Sequence, residues 1–208
     1  MPKLTLKPDT HTYYLDGKRL PGVTEIMACV GARKTPDDPW RSVCGSEFIV
    51  GGDTSRNFGH ALHAIAAMKI KGKIFTSDPQ MQPWINGLDK FFADNPELKT
   101  YQRNGVFAVE SMVWSRYGFA GTFDWLAETT RALYLIDWKS CTSPMDHHHM
   151  QTAAYEQAIR ERYDIPRKPM HRWPVRIMEN DYRIDRRRGH PEDWHNFLSI
   201  LNTYKLAA

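Results

Sequence analysis

The spacing of apolar residues divides the chain into alternating and helical stretches. Tyr13-Tyr14-Leu15 and Leu20 flank Asp16-Gly17, a pair that predicts a hairpin because both residues tolerate the positive φ of a two-residue turn. Thr24 then reads as the cap of a short helix through Glu25, Ile26 and Met27. Residues 31–53, rich in Gly, Asp and Pro, read as a loop. Over residues 55–70, Phe58, Leu62, Ile65, Ala66 and Lys69 fall on one helical stripe and Arg56, His60 and His63 on another. A second helix is expected over 78–95, capped by Ser77, with Pro79 early, where proline is tolerated, and Trp84, Leu88, Phe91 and Phe92 facing the core. Three strand-like runs at 105–114, 119–127 and 132–139, with turns at Tyr117-Gly118 and Thr129-Thr130-Arg131, predict an antiparallel meander. A helix over 146–163, a strand over 173–178, a short extension over 182–184 and a helix over 191–206 complete the order. That order predicts an α/β fold with a central mixed β-sheet flanked by helices.

Composition sets the scale. With 208 residues, 41% hydrophobic and 25% charged, the chain can bury one sizeable core and is too short for two ordinary domains. We therefore expect a single domain: an N-terminal hairpin and loop (1–54), a core (55–163) and a C-terminal strand and helix (164–208). Lys plus Arg number 28 against 24 Asp plus Glu, a net charge of +4, which permits a polyanionic partner without demanding one. Residues 160–188 hold ten basic residues against five acidic, including Arg186-Arg187-Arg188; they read either as a phosphate-tracking patch or as a solvated face. Trp173, Trp194, Phe197 and Leu201 fall at strand and helical spacings and read as core. The longest apolar stretches, such as 132–136, are far short of the roughly 20 residues that cross a bilayer, and residues 1–9 carry no apolar secretion core, so neither membrane spanning nor export is expected. Cys29, Cys44 and Cys141 form no C-x-x-C pair, which argues against a disulfide framework, a zinc ribbon or a four-cysteine iron–sulfur cluster and fits a reducing cytoplasm.

The chemistry concentrates in Gly121-Thr122-Phe123-Asp124 and, one turn later, Ile136-Asp137-Trp138-Lys139. Residues two apart on a strand share a face, so Asp137 and Lys139 point together from the end of an apolar strand. Buried charges are costly unless paired or bound to a cation. If the preceding strand pairs antiparallel, Asp124 comes close to Asp137, and two adjacent carboxylates repel unless a divalent ion neutralises them. Oxygen ligands of this kind suit Mg²⁺ or Mn²⁺, and an ion and a lysine together suit phosphodiester hydrolysis. An ordinary Asp124–Lys139 salt bridge on a half-exposed sheet is the plainer reading of these three residues alone. Glu110 interrupts the apolar run 106–113 and sits where it can join the same cluster, or equally is simply exposed on an edge strand. Gln151 and Tyr155, i and i+4, project from one face of the next helix towards the strand end, where an amide and a phenol can hold phosphate or a base, though by itself the spacing is that of an ordinary surface pair. His63 can add a nitrogen ligand, with Arg56 near a phosphate; taken alone, a hydrogen-bonded core or surface imidazole is the commoner reading of such a histidine. The run His147-His148-His149 points in three directions and cannot ligate one ion; His148, three residues before Gln151, faces the same cleft or, as a histidine at a helix start, solvent.

Taken in order, Gly59-x-x-x-His63, Glu110, Gly121-Thr122-Phe123-Asp124, Ile136-Asp137-Trp138-Lys139 and Gln151-x-x-x-Tyr155 resemble the RecB-like branch of the PD-(D/E)XK nuclease superfamily. The opening His11-x-Tyr13 hairpin and Pro21-Gly22-Val23-Thr24 are similar to the start of phage-borne, stand-alone exonucleases of that branch. The resemblance covers most of residues 11–160. It implies a restriction-endonuclease-like core, with His63, Asp124, Asp137 and the Trp138 carbonyl as metal ligands and Lys139 as the catalytic lysine. It also implies that Gln151 and Tyr155 support the site and contact DNA. Family members with an iron–sulfur cluster carry four cysteines that this chain lacks, and no G-x-x-x-x-G-K-[ST] loop for ATP is present.

The expectation from sequence is therefore a Mg²⁺- or Mn²⁺-dependent deoxyribonuclease without an iron–sulfur cluster, an exonuclease by analogy with its branch. It would act on DNA in the cytoplasm in phage or bacterial recombination, repair or processing, with a single-strand annealing or recombination protein as a partner suggested by the resemblance alone. Its catalytic group would be Asp124, Asp137, Lys139 and Glu110, and its substrate-binding group Arg56, Gln151, Tyr155 and His148. The rival reading is a non-catalytic DNA-binding or assembly module that keeps the fold. A zinc hydrolase built on the histidine run is a third.

Overall fold

The computed structural model describes residues 2–31, 54–103, 106–140, 146–165, 167–186 and 191–207. The chain opens with Leu4–Lys7 (β1), Thr12–Leu15 (β2) and Lys18–Leu20 (β3), a three-stranded antiparallel sheet whose second turn is the expected Asp16-Gly17, both at positive φ. Val23–Gly31 (α1) follows, starting one residue before Thr24, so Thr24 lies inside the helix rather than capping it. Glu25 closes the turn instead, its Oε2 accepting from Gly22 N at 3.2 Å, as the acid of a capping box does. Of the loop expected over 31–53, Gly31 ends α1 and the rest lies outside the described residues.

Thr54–Ile70 (α2) matches its periodicity. The helix expected over 78–95 is broken: Pro79–Met81 is a 3-10 turn capped by Asp78, not Ser77, through Gln80 N at 2.9 Å, and Gln82–Asp94 (α3) starts afresh. Pro83 is the reason, since without an N–H it cannot continue a helix from Pro79 yet fits the first turn of a new one. Then come Lys99–Thr100 (β4), Gln102–Arg103 (β5), Val106–Phe107 (β6), Val109–Ser115 (β7), Phe119–Glu128 (β8) and Leu133–Lys139 (β9), followed by Asp146–Arg162 (α4), Met170–Met178 (β10), Asp181–Ile184 (β11) and Pro191–Ala207 (α5).

The main sheet runs β11-β10-β9-β8-β4, with β7 also on β8. Pairing is antiparallel except between β9 and β10, which are parallel across the α4 crossover, so the sheet is mixed. Its two faces fill separately, as a strand alternating between two apolar sides requires. Leu133 and Leu135 of β9 join α1, α4 and α5 through Ile26, Ala158, Ile159, Phe197 and Leu201. Ile136 and Trp138 join α2 and α3 through Leu62, Ala66, Leu88 and Phe91. Trp173 and Trp194 border these cores, half-buried. The molecule is thus α/β with helices on both faces of the sheet. Among the described residues no helix is long and apolar enough to cross a membrane.

Candidate functional site

β8 and β9 form a fork. They pair only over residues 125–128 of β8, ending at Trp125↔Ile136, and the next residue on each prong is an acid: Asp124 and Asp137, 5% and 2% exposed. Where the strands part, Trp138 N points to no carbonyl of β8 and donates instead to Asp124 Oδ2 at 2.7 Å, as a buried amide must find an acceptor. Farther along β8, the N-terminal segment takes the place of β9: Ala120 N donates to Pro21 O at 3.0 Å and Gly22 bridges Ala120 in parallel. The gap between these two attachments holds residues 121–124.

Three other elements fill the fork. α2 runs against the end of β9, close enough that a Cβ on Gly59 would meet Ser140 Oγ at 3.4 Å; one turn on, His63 Nδ1 lies 3.2 Å from Asp124 Oδ1. α4 brings Gln151, whose Oε1 accepts from Lys139 Nζ at 2.9 Å and whose Nε2 donates to Tyr155 Oη at 3.1 Å. The Tyr155 ring occupies the space a side chain at position 121 would need, 2.5 Å from an ideal Cβ there, so only glycine lets the phenol reach the fork. From β7, Glu110 enters at φ +50°. The kink sits opposite Asp124, between the pairs Val109↔Trp125 and Ser111↔Phe123. At the same place β8 breaks its alternation, Phe123 packing on the α4 side and Trp125 on the α2–α3 side.

Ligand atoms of His63, Glu110 and Asp124 all lie within 4.8 Å of one another. Asp137 is engaged differently, its Oδ2 2.5 Å from Lys139 Nζ as an ion pair yet without a hydrogen bond of good geometry. An imidazole nitrogen, two carboxylates and an incompletely satisfied buried carboxylate oxygen form a donor set suited to a hard divalent cation such as Mg²⁺ or Mn²⁺. The charges are already interlocked. Burial lowers the His63 pKa, but the Asp124 carboxylate outweighs it and the imidazole rises to about 9. Burial opposes ionisation of Asp124, yet His63 and then Lys139 hold it below the ordinary carboxylate range. Asp137 is raised by burial and by Asp124 against the pull of Lys139. Glu110 is exposed, but the protein around it, then Asp124, push its carboxyl up to about 7. Burial raises the Tyr155 phenol well above its ordinary value.

The structure therefore brings Asp124, Asp137, Lys139, Glu110, His63, Gln151 and Tyr155 to one place. Trp138 enters through its amide nitrogen, while its indole packs away on the α2–α3 side. Arg56 lies in α2 with its side chain outside the described residues. The reading of His147-His148-His149 as solvated histidines at a helix start is corrected for His148 and His149, 6% and 2% exposed, because α4 packs on β10, with Arg172 donating to His149 O at 3.2 Å and His149 Nε2 meeting Asp185 Oδ2 at 2.9 Å. Sequence reasoning missed Tyr13 as part of the wall; its Oη sits 3.0 Å from Thr122 Oγ1 and 3.2 Å from His11 Nε2. The alternation in β2, with Tyr13 facing in, and its place in the His11-x-Tyr13 motif were its local signals. Comparison of the sequence with protein-family models and with curated proteins finds no match.

Proposed function

We propose that the protein is a divalent-metal-dependent deoxyribonuclease with a PD-(D/E)XK-type core, acting at DNA ends. The observation that carries this reading is the convergence of His63, Glu110 and Asp124 within 4.8 Å, beside the buried Asp137–Lys139 pair. His63, Asp124 and Asp137 would hold the ion, with Glu110 in reach of it; since His63 is protonated near neutral pH without one, binding displaces that proton. A bound divalent cation would polarise the phosphoryl oxygen and acidify water.

The chain's own groups supply the rest. Lys139, fixed between Asp137 and Gln151, places one positive charge where the pentavalent transition state gains negative charge. Asp124, anchored by the Trp138 amide, keeps its orientation when His63 gives up its proton. Hydrolysis forms a bond from water oxygen to phosphorus as the P–O ester bond on the opposite side breaks, the departing sugar oxygen taking its proton from solvent. Glu110, exposed at the rim of the cluster, is placed to take the proton of the attacking water. Action at ends and any recombination partner rest on the sequence resemblance.

The test uses end-labelled linear and closed circular DNA with Mg²⁺, Mn²⁺ or EDTA, alongside Lys139→Ala. Metal-dependent loss of linear DNA by wild type, abolished in the variant, is the expected result. Binding without cleavage in every metal would favour the non-catalytic module.

A further inference from the structure

The face of β7 and β8 that looks towards α2 is covered at both ends. At one end Val109 and Trp125 enter the core beneath α2 and α3; at the other, Trp114 and Ala120 pack with Tyr13 and Leu20 of the N-terminal hairpin. Between these ends the register sets Met112 opposite Thr122. Residues two apart on a strand share a face, so both lie on the side of Trp114 and Ala120. Met112 is 40% exposed, an apolar side chain in contact with water two residues, about 7 Å, along β7 from Glu110.

Imidazoles border this opening. Tyr13 Oη, 3.0 Å from Thr122 Oγ1, also meets His11 Nε2 at 3.2 Å, and the two rings stand edge to face with centroids 5.5 Å apart. His11 is exposed and takes φ +48°, a left-handed conformation that its Cβ disfavours and of the kind found at ligand clamps. The protein packed around the His11 ring, then His60 of α2, hold its pKa below the ordinary value, so near neutral pH it presents a flat, uncharged ring. His60, one turn before His63, is exposed as well.

We propose that this opening is a nucleobase subsite, in which an unpaired base next to the scissile phosphate lays its face on the Met112 thioether with the His11 ring alongside. The proposal rests on the nuclease reading for its ligand. A polarisable thioether and a flat imidazole favour an aromatic face. The strand's own backbone fits less well, because neither Met112 nor Thr122 offers a phosphate a positive charge and the Glu110 carboxyl beside them repels one. The polar atoms at the edge, Thr122 Oγ1 and Tyr13 Oη, already engage each other, so the subsite takes any base, as stacking does. A paired base keeps its faces within the duplex, and the subsite therefore selects a strand that is single or frayed at the cut.

The test is binding, in EDTA, of two fluorescent single strands of equal length and charge, one of thymidines and one of abasic sugar-phosphates. Stacking contributes about fivefold or more per base, so wild type should bind the thymidine strand at least about fivefold more tightly. Met112→Ala and His11→Asn change exposed side chains, and asparagine tolerates the positive φ. Each should lower that ratio by at least about twofold, while abasic binding and the slope of log K against log salt stay as in wild type, since neither substitution removes a phosphate contact. Leu206→Ala, exposed on α5 across the sheet, is the control and should change nothing. Equal affinity for the two strands, no binding of either, or a wild-type ratio in either variant overturns the subsite; metal-dependent cleavage in that case leaves the nuclease reading standing. A ratio that depends on Met112 and His11 without cleavage in any metal supports the subsite and overturns the nuclease reading.

Discussion

Glu110 adopts a left-handed backbone conformation in the body of the sheet, at φ +50°. For a residue with a Cβ that conformation costs about 1–2 kcal/mol, whereas glycine accepts it freely at the expense of about 0.5–1 kcal/mol of unfolded-state entropy. Glu110→Gly should therefore leave thermal stability unchanged or slightly raised, while cleavage falls at least about tenfold with the loss of a proton acceptor; a marked fall in Tm would show that the carboxylate holds the fold. Gly121 presents the opposite case. Gly121→Ala drives a methyl into the Tyr155 ring, which cannot retreat because it is buried beside Val23. Denaturant melts should show a loss of about 1–3 kcal/mol, the usual cost of overpacking, together with lost activity. Both residues stood out in the sequence, Glu110 as a charge in an apolar run and Gly121 in a motif. The left-handed kink did not, because a glutamate gives no local sign of positive φ, and the partner that makes Gly121 indispensable lies 34 residues away in sequence.

At the scale of elements, the fork explains why Asp124 and Asp137 coexist in a nearly dry place. One carboxylate replaces a missing strand carbonyl for Trp138 N, and the other neutralises Lys139. Asp124→Asn keeps an oxygen for that amide but removes the charge facing His63. The imidazole pKa, followed by NMR, should then drop from about 9 towards its ordinary value of about 6.5, and metal-dependent cleavage should fall by about a hundredfold or more. An imidazole still titrating near 9 would mean that Asp124 is not the group that raises it. The meander, the helix carrying His63 and the helix carrying Gln151 were readable because period two and period 3.6 stand out over runs of seven or more residues. Short β1, β4 and β5 were not, since two to four residues carry no periodicity, and the break before α3 required weighing Pro83 as well as Pro79.

Across the whole molecule, protons would compete with the proposed cation. His63 has a pKa of about 9 when folded and 6.5 ordinarily, so its pairing stabilises the metal-free fold fully below about pH 6.5 and the benefit is lost as pH rises through 9. Glu110, raised to about 7 from 4.5, makes the fold lose stability between those values as its carboxyl is forced to ionise. Metal-free Tm should thus decline from pH 5 to pH 9.5. The rise in Tm caused by Mg²⁺ should grow over the same range, by up to about a tenfold gain in affinity per pH unit below 9 where one proton is displaced. A Mg²⁺ response independent of pH would remove His63 from the ligand set. The division of the sheet into two separately filled faces was implicit in the α/β order of elements; that Arg160, Lys168 and Arg172 of the basic segment would be taken up in ion pairs depended on the tertiary fold, which composition does not encode.

The seam between Pro21-Gly22 and Ala120 has a consequence for the life of the protein outside any reaction. Those two residues cover a stretch of β8 whose amides and carbonyls would otherwise present a naked template for another chain. A version lacking residues 1–22 should elute as soluble aggregates on size-exclusion chromatography and bind amyloid-sensitive dyes, because the opening hairpin is a guard against self-pairing as much as a wall of the cleft.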